Sequence, residues 1–397
     1  MAFPLPEEQL PEQTTAQRSP VAVVPVESRA DWRAFHRLPY AIYKDDPNWI
    51  APLLLERKFH FEPAHNPFFQ HAKAAFWLAL RDGKPVGRIT AQIDDLHLER
   101  HKDATGHFGF IEATDDPKVF AALLDTAEAW LKSQGMRRVL GPVSFSMWDE
   151  PGLLVEGFDT PPVLLMGHHL PYYQTHIAAH GYGKIQDLLA YDYEVMRPLP
   201  PAMAEIIART EKKHPITYRN LRMDKAHFKD EVALLLDIVN DAWADNWGYV
   251  PLTKAELDDM ASMFKILLKP DHVAIAEYAG EPAAFALGLP NLNAMIRDLK
   301  GRLFPFGIVK LLWRLKMKAI TSARLPLMGV RKKWQNSHIG AALAMAAINQ
   351  MRSTAMRYGV PRAELSWILE SNERLRHMLT LVGGRVYKRY RIFEKAL

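Results

Sequence analysis

Residues 330 to 344, VRKKWQNSHIGAALA, place a short polar loop between an apolar run and a segment of small residues. A helix that starts there presents several backbone N–H groups without intrahelical partners, and its dipole favours negative charge. Gly340, followed by Ala341 and Ala342, would let an anion approach that terminus closely, and Lys332 and Lys333 would add positive charge. Two readings stand: a phosphate cradle, or an ordinary strand-to-helix turn with solvated lysines. A second group lies in NDAWADNWGYVPLT (240 to 253), where Trp243, Asn246, Trp247 and Tyr249 combine apolar surface with hydrogen-bonding points. That mixture suits a ligand wall, and it equally suits a packed loop that stitches two domains. In SMWDEPG (146 to 152), Trp148 adjoins the carboxylates of Asp149 and Glu150 at a turn. Such a loop can reach across to a site between domains, or be an exposed acidic turn.

Other chemistries lack their signatures. His168 and His169 are adjacent, but no HExxH or comparable metal-ligand spacing occurs, so no metal is expected. No GxGxxG follows a strand and no GxxxxGK[ST] is present, which excludes the common dinucleotide and nucleoside-triphosphate loops. Nucleic-acid binding would rest on charge alone, without a motif, and is not expected. Cysteine is absent, so disulfides, thiolate metal sites and a Cys nucleophile are excluded.

These residues need a scaffold, and the element order supplies one twice. AAFWLALRDGKPVGRITAQID (74 to 94) reads as a β-hairpin turning at Asp82-Gly83, and HVAIAEYAGEPAAFALGLPN (272 to 291) as another turning at Ala279-Gly280. Each leads to a further strand and a helix closing on glycine. A buried strand, a second helix and a final strand then follow. Alternation of this kind predicts an α/β (α+β) fold. The expected organisation is a flexible tail over 1 to 26, a first domain over 27 to 198 and a second over 199 to 397. The first carries an additional loop (146 to 171) and the second an additional segment (291 to 324). Insertions this long in compact domains are usually functional or lid-like.

In that second insertion, IVKLLWRLKMKAI (308 to 320) sets Lys310, Arg314 and Lys318 four residues apart, opposite a broad apolar face with Trp313 at its edge. This is either a core helix with a solvated basic stripe or a helix for an anionic membrane face or an acyl chain. Its place as an insertion favours the second. A net charge of +5 and a pI near 9.1 suit an acidic partner without choosing one. No apolar run is long enough to span a bilayer and no signal peptide is recognisable, so the expected location is cytoplasmic, with peripheral membrane contact.

The order of hairpin, strand ending at Val330, polar loop, helix, strand LSWIL, Asn372 and helix closing on Gly-Gly resembles acyl-CoA-dependent N-acyltransferases of the GNAT superfamily. The pyrophosphate loop of that family reads Arg/Gln-x-x-Gly-x-Gly/Ala. Here Gln335 and Gly340 match it, and His338 stands in place of the first glycine, where an imidazole can also donate to phosphate. The phrases DPNWIAPL, NPFFQHA, VGRITAQID, HFGFIEA, NDAWADNWGYVPLT, GRLFPFG, ELSWILESN and YKRYRIFEK are similar to a bacterial family of tandem-GNAT proteins that includes ceramide synthases.

The resemblance implies two GNAT-like domains in tandem, each a mixed twisted sheet flanked by helices. It implies an acyl-CoA or acyl carrier protein thioester held in the second domain by Gly329, Val330, Gln335, Asn336, Ser337, His338, Ile339, Gly340, Ala341 and Asn372. The first domain, with acidic ATDDPK where the cradle would be, is expected to shape the acceptor site. The acceptor would be a long-chain amine such as a sphingoid base, with Trp148, Trp243, Asn246, Trp247, Tyr249 and Trp313 as substrate contacts. Acyl transfer needs a base for the ammonium proton, for which Glu370, Asp149 and Glu150 are candidates. It also needs a donor to the thioester oxygen, expected from the backbone near Gly329 and Val330. The tyrosine that many such enzymes use as general acid is replaced, with Met378 and Leu379 at about its position. Two other readings remain: acetylation of a small polar amine, or a non-catalytic pair acting as a binding module.

Overall fold

A computed structural model describes residues 19 to 397 apart from Ile266, Lys318 and Ala319. The first 18 residues of the expected tail thus lie outside the described residues. The remainder is no tail: Ala22–Pro25 forms strand β1. Its Val23 packs on one core and Val24 on another, the period-2 alternation of a strand.

The first half continues through helices α1 (Arg29–Ile42) and α2 (Leu54–His60) to the hairpin β2 (Ala72–Arg81) and β3 (Lys84–Asp94). Then come α3 (Asp95–His101), β4 (Thr105–Ala113), α4 (Pro117–Ser133) and β5 (Arg138–Gly141). The inserted loop holds the short strands β6 (Val143–Ser144), β7 (Glu150–Pro151) and β8 (Leu153–Glu156), and α5 (Tyr172–Ala179) and β9 (Gly183–Glu194) close the half. The second half runs α6 (Pro201–Lys213), β10 (Ile216–Asn220), α7 (Phe228–Trp243), α8 (Lys254–Phe264), β11 (Val273–Tyr278) and β12 (Glu281–Pro290). Its insertion carries α9 (Leu292–Ile296) and α10 (Gly307–Lys316), followed by β13 (Ser322–Val330), α11 (His338–Arg357), β14 (Arg362–Leu369), α12 (Glu373–Leu381) and β15 (Arg385–Ala396).

Both hairpin turns stand where the sequence places them. Asp82 and Gly83 have φ of 50° and 70°, Ala279 and Gly280 of 52° and 83°. Two consecutive left-handed residues give the turn whose twist matches that of the strands.

Each half is a mixed sheet flanked by helices, and the two are joined into one sheet. Its order is β1-β2-β3-β4-β5-β15-β9-β14-β13-β12-β11-β10, with β8 also pairing β15. Among the described residues, only β4 with β5 and β13 with β14 run parallel. The last strands cross over. β9 ends the first half yet pairs with β14, and β15 ends the second yet lies between β5 and β9. The boundary expected at 198 to 199 therefore divides the chain but not the sheet.

Candidate functional site

β13 and β14 pair only from Ser322–Leu325 against Arg362–Leu365. Beyond this, Pro326 has no N–H to offer, and β14 shifts register against β9 between Leu365 and Ile368. The strands part, and a cleft of about 880 Å3 opens between them. Apolar side chains such as Leu188, Leu325, Met345, Ile348, Leu365 and Ile368 line much of it. This volume is toward the upper end of the roughly 300–1,000 Å3 of small-molecule sites.

The N-terminus of α11 opens onto this cleft. Ser337 caps it, accepting from the Gly340 N–H at 3.0 Å, while the Ala341 N–H bonds to the Ser337 carbonyl. Among the described residues, the N–H groups of His338 and Ile339 find no partner, as a helix N-terminus awaiting an anion would show. Gln335 does not reach outward. Its Nε2 donates to the carbonyls of Val330 (2.8 Å) and Ala242 (2.9 Å), folding the loop against β13 and α7. Gly340 matters for the same loop, because a Cβ there would lie 2.1 Å from the Trp334 carbonyl oxygen. Lys332 and Lys333 are paired with Asp245 and Glu281, so they are not the free charges expected. The cation at the site is Arg374, which lines the cleft and donates to the Asn336 side chain. No local signal marked it, since the two residues are 38 positions apart. Asn372 also lines the cleft, and its side chain caps α12 by accepting from the Leu375 N–H. Of the expected cradle, Ile339 alone turns elsewhere, against the Ala276, Ala283, Ala284 and Leu343 cluster.

Strand alternation corrects the expected carbonyl donor. The Arg331 N–H bonds to Ala283 at 2.8 Å, and Val330 stands opposite Ala284. Gly329 therefore turns its polar groups to β12, while Met328 and Val330 turn theirs to the cleft. The two carbonyls are occupied, Met328 by Trp243 Nε1 (2.9 Å) and Val330 by Gln335. Their N–H groups are the strand donors on the open side. The missing side chain of Gly329 serves packing, since a Cβ there would stand 3.1 Å from that of Ala242.

The far wall is aromatic and joins the halves. Trp148 stacks on Trp243 with centroids 5.2 Å apart, and its Nε1 donates to the Val250 carbonyl at 2.9 Å. Tyr249 meets Trp148 edge-on and donates to Asn240 at 2.6 Å, and burial raises its phenol to about 12. Asn246 and Trp247 also line the cleft. Arg100 of the first half lies over the Tyr249 ring, so one loop both walls the cleft and stitches the halves. Trp313 is not part of this wall. It sits on α10, 60% exposed.

The three candidate bases separate. Glu370 accepts from Lys184 Nζ (2.7 Å) and the Asp187 N–H (3.1 Å), a structural tie between strands. Glu150 is ion-paired with Arg57. Among the described residues, Asp149 accepts a hydrogen bond from the Ser146 hydroxyl alone, at 3.2 Å, and burial, assisted by the Glu150 charge, pushes its carboxyl up to about 7. It faces an adjoining cavity that shares Trp148 with the cleft. Among the described residues no carboxylate lines the cleft itself, and Met378 and Leu379 do line it.

The first half has the same splay and no vacancy. β4 and β5 pair only over Thr105–His107. The space beyond is filled by the half's own chain: Phe145 packs on Phe110 (4.8 Å) and on Phe61 (5.4 Å). The Phe110 N–H donates to Ser144 Oγ at 2.8 Å. At the start of α4, Asp116 caps the helix and pairs with Arg81, an acid where an anion cradle would be.

No family model matches the chain. It is 46% identical over 371 residues to Protein YghO of Escherichia coli (strain K12), covering 93% of this chain and 94% of that protein. It is 45% identical over 379 residues to the bacterial ceramide synthase of Caulobacter vibrioides (strain NA1000 / CB15N), covering 95% and 98%. In fold it is similar to a tandem GNAT protein from the clavulanic acid biosynthesis pathway, with a TM-score of 0.53, 11% identity and coverage of 95% and 98%. A GCN5-related N-acetyltransferase from Sphaerobacter thermophilus gives 0.51, 15%, and 95% of each chain. The solved structures share the fold, the curated relatives align along nearly the whole chain, and the chain thus belongs to the tandem-GNAT family of acyl-CoA-dependent N-acyltransferases that includes that bacterial ceramide synthase.

Proposed function

We propose that the protein is a ceramide synthase, transferring a long-chain fatty acyl group from a CoA or acyl carrier protein thioester to the amine of a sphingoid base. The observation that carries this reading is one cleft of about 880 Å3 that begins at an anion cradle and continues into apolar lining supplied by both halves. A phosphorylated thioester with a long apolar chain has that same sequence of chemistry.

In this reading the His338 and Ile339 N–H groups and Arg374 hold the phosphates, and the pantetheine arm enters the gap between β13 and β14. Asp149 takes the ammonium proton. The neutral amine attacks the thioester carbon, charge developing on the oxygen meets the Met328 or Val330 N–H, the carbon–sulfur bond breaks, and the second proton released by the nitrogen passes to the leaving thiolate, giving amide and free thiol. Both substrates are amphiphiles, which gives α10 a role at a lipid surface. Lys310 and Arg314 of its expected basic stripe are bound to Asp298 (Arg314 Nη2 at 3.0 Å), and Lys318 lies outside the described residues. Lipid contact therefore rests on apolar surface: Val309, Leu312, Trp313 and Met317 are 55–64% exposed, and Phe304 and Phe306 more so.

The test is turnover of purified protein with acyl-CoAs from acetyl to stearoyl, using sphinganine and small polar amines as acceptors and following free thiol and amide together. Long-chain amide formed on sphinganine is expected. Turnover with acetyl-CoA and polar amines alone would replace this reading with small-molecule acetylation, and no turnover or acyl-CoA binding would leave a binding module.

A further inference from the structure

The second cavity, about 460 Å3, lies between the halves and differs from the cleft in charge. Its walls come from α2 and residues 65 to 68, from Ser146–Asp149, and from α8 and Leu303 of the second half. Glu56, Asp149, Glu256 and Asp259 bring four carboxylates to it, and among the described residues no lysine or arginine lines it. Two of the four are already satisfied: Glu56 by Arg57 at 3.2 Å, and Glu256 by His71 and Thr253. Neither Asp149 nor Asp259 makes an ion pair among the described residues, although the Arg57 charge acts on Asp149; desolvation raises both carboxyls, and Asp259 is an exposed residue. His60 also lines the cavity. Burial, reinforced by Arg57, drives its ring down to about 3, and its buried Nε2 has no partner among the described residues.

The rest of the lining is mixed, with His65, Asn66, Ser146 and Ser262 polar and the other residues apolar. Leu55 and Phe59, each 42% exposed, stand at its solvent edge, and Leu303 leads along the chain to the exposed Phe304 and Phe306. Carboxylates set beside apolar side chains select for a cation carrying a hydrocarbon tail. A metal ion is a poorer fit, since among the described residues these acids do not converge at ligand spacing.

We propose that this cavity seats the acceptor as a long-chain ammonium ion, its head between Asp149 and Asp259 and its tail along Phe59, Leu55 and Leu303 toward the exposed aromatic loop. The proposal rests on the acyl-transfer reading and specifies its acceptor side. Trp148 lines both cavities, so an amine held beside Asp149 lies one indole from the thioester cleft. Stacked on Trp243, that indole borders both sites, and the amine must pass its edge to reach the thioester.

The experiment is calorimetric titration of the whole protein, without acyl donor, with dodecylamine and with dodecanol below their micellar range, repeated on Asp259→Lys and Met260→Trp. Dodecylamine is expected to bind at least about tenfold more tightly than dodecanol, since the carboxylates recognise the charge. Each variant should weaken the amine by about tenfold, one by reversing a charge and one by filling space, with acyl-CoA binding unchanged. Equal binding of amine and alcohol, or wild-type amine affinity in both variants, overturns the proposal. Amine binding that behaves as expected in a protein that forms no amide would reject the acyl-transfer reading and leave the cation site standing. Ceramide formation with an unaltered amine KM in both variants would do the reverse.

Discussion

At Gly340 a side chain has nowhere to go, because the Trp334 carbonyl occupies the position of its Cβ. Gly340→Val should push the 335 to 340 loop off the helix terminus and raise the KM for acyl-CoA by roughly tenfold or more while amine binding persists. Steady-state kinetics with each substrate varied would check this, and a KM within twofold of wild type would remove the cradle from the mechanism. Asp149 is the complementary case, a carboxylate defined by what it lacks. Burial and Glu150 lift it to about 7, so its basic form dominates only above that pH. The rate should rise through pH 7 and level off. Asp149→Asn should lower kcat by about a hundredfold and abolish that limb, as loss of a general base does. A variant that keeps the limb assigns the proton to another group. The stability sign is opposite. A carboxyl raised above its free value of 3.8 destabilises the fold increasingly from there to about pH 7, and by a constant amount above.

Elements set where these residues meet. His71 of the first half sits between Asp94 (2.9 Å) and Glu256 of α8 (3.2 Å), and these partners raise it to about 10 despite burial. Its folded value exceeds the free 6.5, so this lock contributes fully below pH 6.5 and is lost as pH rises through about 10. His71→Leu should lower Tm clearly at pH 6, and the difference should shrink by pH 10 to what packing alone leaves. Thermal unfolding across pH would show it, and a difference independent of pH would mean the histidine acts only by shape. At α10 the outcome turns on apolar exposure. Leu312→Glu with Trp313→Glu should abolish co-sedimentation with anionic vesicles and leave turnover of detergent-dispersed amine nearly intact. Retained sedimentation would place lipid contact elsewhere. A periodicity argument found this helix but misjudged its charges, because Asp298, which neutralises two of them, belongs to the preceding turn and pairs only through the fold.

One sheet with crossed last strands runs through both halves, and this decides what can be separated. A chain ending before Arg385 loses the strand between β5 and β9 and should fold neither half. Residues 1 to 198 and 199 to 397 expressed apart should each be insoluble or unfolded, yet form an active complex when expressed together, as co-purification and turnover would show. Independent, monodisperse folding of either piece would contradict the crossing of β9 and β15. Hairpins and the polar loop before α11 were legible because they are local: the left-handed turns at Asp82 and Ala279 need only their neighbours. β1 was missed because four alternating residues beside a Pro-rich stretch resemble a tail until a partner strand is present. The sequence by itself determined the element order, the cradle loop and the aromatic residues of the wall. Tertiary structure alone decided that Glu370 and Glu150 are structural, that Arg374 rather than the lysines attends the cradle, and that Trp148 borders two cavities. The reason is that a charge takes its role from its nearest counter-charge and a strand from its neighbour, and here both come from residues far away in the chain.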